Sequence, residues 1–98
     1  MSTEYLSVEI NEAARLARRV EFQISDEFHP FNWESRLELA AIMREIAADS
    51  EGRVAQVAGE IQFRLESEAS DFTVWEERLE TANLAHTVAV SLERGGVR

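Results

Sequence analysis

The chain has 98 residues, and its nineteen acidic residues outnumber ten basic ones for a net charge of -9. Length allows one modest core and no second independent domain, so residues 1–98 are read as a single domain. With no cysteine, disulfides, thiolate metal sites and cysteine nucleophiles are excluded, and the fold must hold by packing alone.

Every basic residue is arginine, and the acidity is evenly shared: residues 1–49 carry ten acids against five arginines, and residues 50–98 nine against five. Such a charge repels nucleic acids and anionic membranes and favours encounter with basic surfaces. Direct nucleic-acid binding is therefore not expected. The opening Met-Ser-Thr-Glu-Tyr is not a basic leader, and no run of 18 apolar residues occurs. These features predict a cytoplasmic protein (host cytoplasm if phage-encoded) that neither enters nor binds a membrane.

In chain order, residues 1–10 come first. Leu6, Val8 and Ile10 alternate as in a strand, yet Leu6 and Ile10 also lie four apart. We expect helix from about Ser7, with a flexible or extended arm at residues 1–6. The apolar positions Leu6, Ile10, Ala13, Ala17, Val20 and Ile24 then form one stripe, giving a first helix over roughly 11–27. His29-Pro30 breaks it. A second helix over about 32–49 places Trp33, Leu37, Ala40 and Ala41 together. A third, over 51–68, carries Val54, Ala58, Ile61 and Leu65, with Ser50 as its expected cap. The fourth, over 73–93, is led by Trp75, Leu79, Ala82 and Ala89, and Thr73 with Glu76 has the spacing of a capping box. Val74, Leu84, Val88 and Leu92 widen its apolar arc. Gly95-Gly96 ends it, leaving 95–98 as a flexible tail.

The second and fourth helices open alike. Trp33-Glu34-Ser35-Arg36-Leu37-Glu38 recurs as Trp75-Glu76-Glu77-Arg78-Leu79-Glu80, five of six positions identical. Upstream, Phe22 pairs with Phe63, Phe31 with Phe72, Glu27 with Glu68, and Ala14 and Ala17 with Ala55 and Ala58; downstream, Ala40 pairs with Ala82, Ile46 with Val88 and Ala47 with Ala89. Amphipathic helices that agree by chance share apolar spacing but not a tryptophan, an arginine and two glutamates in register. The expectation is a duplicated helical hairpin, about 11–51 and 52–93, folding as an all-α, four-helix up-down bundle with a pseudo-two-fold axis. An intertwined homodimer is the rival arrangement. The shared tryptophan, leucine and alanine positions are assigned to packing.

Chemistry-bearing groups are sparse. Glu34 with Glu38, and Glu76 with Glu80, lie on common helix faces, but the Glu-x-x-His step of carboxylate di-metal bundles is absent. His29 falls in a turn, and His86 follows the Trp75 stripe, where a partly buried imidazole with a hydrogen-bond partner is expected. Neither a nucleophile elbow nor a glycine-rich phosphate cradle occurs. We expect no enzyme activity, no cofactor and no metal. Arg15, Arg18 and Arg19 form one basic cluster, matched in the second repeat by Gln56, Gly59 and Glu60, and they are expected to bridge to neighbours such as Glu12 or Glu21.

Two partner-binding surfaces remain. Glu66, Glu68, Asp71, Glu76, Glu77 and Glu80 crowd the second hairpin turn and predict contact with a basic protein surface, carboxylates standing where phosphates would. In size, charge and lack of catalytic groups the chain is similar to small acidic inhibitors of nucleic-acid-handling complexes, phage anti-CRISPR and anti-restriction proteins among them, an analogy of class carried by no motif. Phe22 and Phe63 lie roughly 200 degrees around their helices from the main stripe. They are expected either to pack on Phe31 and Phe72 at the turn, or to form a second apolar surface for a homodimer or partner, as in an immunity protein, antitoxin or helical assembly subunit.

Overall fold

In a computed structural model, which describes residues 2–26 and 31–95 and side chains from Glu12 to Arg94 among them, the chain is all-helical. Four helices span Ser2–Ser25 (α1), Trp33–Asp49 (α2), Gly52–Glu66 (α3) and Trp75–Gly95 (α4). No strand occurs among the described residues. Helix α1 begins at Ser2, five residues before the expected start near Ser7, so residues 2–6 continue the helix and are not an extended arm. Side chains of Leu6, Val8 and Ile10, the His29-Pro30 break and the tail beyond Gly95 lie outside the described residues.

Local chemistry explains the boundaries. Asn32 caps α2, its side-chain oxygen accepting from the Ser35 backbone N–H at 2.9 Å. Ser50 is not the cap of α3: it closes α2, its own N–H donating to the Ala47 carbonyl, and Glu51 precedes α3 without a side-chain cap bond. Gly52 has φ +62°, a left-handed conformation open to glycine at little cost, and it turns the chain sharply from α2 into α3. The expected Thr73 capping box is replaced by a local turn. Thr73 donates both its N–H and its hydroxyl to the Asp71 carboxylate, and the Val74 carbonyl accepts the first amides of α4.

The helices pack as antiparallel pairs, α1 on α4 and α2 on α3, with α3 also against α4 and α1 touching α2 only lightly. These pairings fit a four-helix bundle of 45 × 24 × 20 Å. Each proposed repeat therefore leans mainly on the other, and the closed hairpin is α2–α3, across the repeat junction. Small side chains let the pairs approach closely: Ala14, Ala17, Ala40, Ala58, Ala82, Ala85 and Ala89 are buried, around the larger Val20, Ile24, Leu39, Met43, Ile61, Leu65 and Val88.

The inward stripes of α2 and α4 differ from expectation. On α2 the buried set is Arg36, Leu39, Ala40, Met43 and Ile46. On α4 it includes Arg78, Thr81, Ala82, Ala85, Val88 and Ala89, while Leu84 and Leu92 are half-buried and Val74 is exposed. Trp33, Leu37, Trp75 and Leu79 are all exposed, so the tryptophan and leucine positions shared by the two segments do not belong to the core. What turns the helices is the arginine one turn in, which faces inward.

Candidate functional site

Arg36 and Arg78 organise one end of the bundle. Arg36, from α2, donates Nε to the Leu65 carbonyl at 3.0 Å, and Nη2 to those of Arg64 at 3.2 Å and Ser67 at 2.7 Å. Arg78, from α4, does the same at the end of α1: Nε to Ile24 at 2.8 Å, and Nη2 to Gln23 at 3.3 Å and Asp26 at 2.8 Å. The last carbonyls of a helix have no partner within it, and a guanidinium fork satisfies several at once while its charge meets the negative end of the helix dipole. Burial pushes the Arg36 ionisation down, opposed by the nearby carboxylates of Glu77 and Asp71.

Aromatic rings enclose both guanidinium groups. Arg36 stands 4.8 Å from the centre of the Trp33 ring and 4.6 Å from that of Phe72, and Arg78 stands 5.0 Å from Phe31 and 5.6 Å from Trp75. Phe31 and Phe72 meet edge to face at 5.2 Å. Phe31 and Phe72, which precede α2 and α4, therefore stand side by side at one pole, together with the last turns of α1 and α3 and the first turns of α2 and α4.

All seven exposed large apolar residues among the described ones lie at that pole. Phe22 and Phe63 sit in the last turns of α1 and α3, Trp33 and Leu37 at the start of α2, and Val74, Trp75 and Leu79 at the start of α4. Phe22 is 60% exposed and Phe63 71%, while Phe31 and Phe72 pack edge to face on each other. Six of the seven are matched positions of the two segments: 22 with 63, 33 with 75, and 37 with 79.

The six candidate carboxylates share the pole but not one condition. Glu66, Glu68, Asp71, Glu76 and Glu80 are exposed and Glu77 is half-buried. Glu80 is bound by Arg64 at 2.6 Å, and Arg64 also holds Glu60. Asp71 is held below its ordinary range by the Thr73 hydroxyl and amide, with a smaller pull from Arg36. Glu66 receives a bond from Gln62 at 3.3 Å. Charge is thus partly answered within the chain, and Glu66, Glu68 and Glu76 are the carboxylates least committed to arginine.

The arginine cluster of α1 is spent on ion pairs, as expected. Arg15 meets Glu12, and Arg19 reaches Glu38 of α2. Arg18 binds Glu21 at 2.9 Å and Glu93 of α4 at 2.8 Å, which raises its ionisation further and holds Glu93 below the usual carboxylate range. His86 is exposed rather than partly buried, its Nδ1 3.1 Å from Glu21 and 3.0 Å from Arg18. No three acidic or histidine residues among the described ones group as metal ligands, and no described helix is long and apolar enough to cross a membrane.

Phe22 and Phe63 are exposed, and so are Trp33, Leu37, Trp75 and Leu79, which were expected in the core because they lead a helical stripe. The missed signal was the matched Arg36 and Arg78, one turn beyond each tryptophan, which compete for the inward face. Compared with protein-family models, curated proteins and solved structures, the chain matches none.

Proposed function

We propose that this chain is a non-enzymatic binding protein that engages a protein partner through the aromatic pole of its bundle. The observation that carries this reading is the gathering of seven exposed large apolar side chains at one end. Singly exposed apolar residues need no explanation, whereas a group of this kind on a small acidic protein marks a contact surface. Tryptophan and phenylalanine also supply most contact area for least ordering cost. Glu66, Glu68 and Glu76 border the pole and suit a partner whose apolar face has a basic rim. We further infer that the two matched segments arose by duplication, since Arg36 and Arg78 make equivalent bonds.

A second reading gives the carboxylates the leading part: inhibition of a basic, nucleic-acid-handling complex by occupying its phosphate sites, in the manner of anti-CRISPR or anti-restriction proteins. Its support is the net charge of -9 with Glu66, Glu68 and Glu76 exposed together. Salt separates the two readings. Apolar-led binding changes little between about 50 and 200 mM salt, whereas carboxylate-led binding weakens steeply and is lost on reversing Glu66, Glu68 and Glu76 to lysine. The apolar reading is overturned if changing both Phe22 and Phe63 to serine leaves partner affinity unaltered.

A further inference from the structure

The bundle's two halves, residues 2–49 and 52–95, are joined only through Ser50 and Glu51. The core lies mostly between the halves, because α1 packs on α4 and α2 on α3 while α1 touches α2 only lightly. Polar contacts cross the same boundary. Arg36 of the first half ends α3, Arg78 of the second ends α1, and the Arg18–Glu93 pair joins α1 to α4. Each half is thus the other's principal binding partner, and the surface each presents does not depend on which chain supplies its complement.

The connection is built to open. Gly52 holds φ +62°, and a Cβ placed there would meet nothing within 4 Å, so what favours glycine at this position is its backbone conformation and not a close neighbour. Residues 47–55 contain no proline, so helical dihedrals at 50–52 would fuse α2 and α3 into one helix over residues 33–66. Fused in this way, a chain keeps both half-surfaces but can no longer fold one onto the other. We propose that two copies of this chain exchange halves by straightening the Ser50–Gly52 turn, forming a two-chain assembly of two bundles in which Arg36 and Arg78 cap helices of the other copy. Short hinges under conformational constraint are where such exchange begins. The inference is independent of the aromatic pole, which each exchanged bundle retains.

Complementation tests it with full-length chains. Ile24→Asp breaks the first half and Ile61→Asp the second, both residues being fully buried. Mixed one to one, the sound second half of the Ile24→Asp chain meets the sound first half of the Ile61→Asp chain. We expect helical circular dichroism to rise to roughly half that of the parent, in a species of twice the 11.1 kDa chain mass. A spectrum equal to the sum of the two separate chains overturns the proposal. Should either variant stay folded alone, Gly52→Ala decides. It disfavours the turn and favours the fused helix by at least about thirtyfold per chain, hence a dimer about a thousandfold tighter by light scattering. A dimer constant unchanged from the parent's contradicts the exchange.

Discussion

Arg36 and Arg78 show how one side chain redirects a helix. Arginine is among the residues least often buried, and its burial here is stabilised by three carbonyl acceptors and two flanking rings in each case. Removing one strands the carbonyls of a helix end. Arg36→Met or Arg78→Met should each lower unfolding free energy by roughly 2–4 kcal/mol in urea titration, and by similar amounts, given their matched contacts. Lysine cannot span the three acceptors and should restore only a minor part of the loss. At Phe22 and Phe63 the expectation reverses: changing either to serine should shift stability by no more than about 0.5 kcal/mol, because both are largely exposed. A large destabilisation there would assign the phenylalanines to packing.

For the elements, much was legible because the 3.6-residue period of Ala17, Val20 and Ile24, or of Ala58, Ile61 and Leu65, is a direct trace of burial. Four helices and their order followed from it. Less legible were the caps, where Asn32, Ser50 and Thr73 all offer acceptors and only three-dimensional context selects among them. Asn32→Ala should cost about 1 kcal/mol, whereas Ser50→Ala should cost well under half of that in the same unfolding assay. The pairing of α1 with α4 was also hidden, because tandem similarity suggests that a segment folds upon itself and gives no sign of which faces cross the junction. The Arg18–Glu93 pair on that contact sets a pH dependence. Glu93 ionises below its ordinary value of 4.5 in the folded state, so the pair contributes above that value and its contribution disappears as pH falls through the lowered value. Melting temperatures of the parent and Arg18→Gln should differ at pH 7 and draw together as the pH falls below Glu93's ordinary value; a difference that stays constant throughout would show that the pair sets no pH dependence.

Taken as a whole molecule, the bundle separates its two requirements by position. The interior combines alanines with aliphatic residues such as Ile24, Leu39, Met43, Ile61 and Leu65 and admits two arginines, while the exposed large apolar residues among the described ones are concentrated at one pole among carboxylates. Composition exposed the acidity, while the pole itself emerged only when the tryptophans were found outside the core. The decisive measurement is a quantitative pull-down from a lysate of the source organism, comparing the parent chain with a Phe22→Ser, Phe63→Ser double variant of matched melting temperature. A protein retained by the parent should be reduced at least tenfold on the variant, with retention little changed between about 50 and 200 mM salt. Equal retention of the same protein by both chains would contradict it.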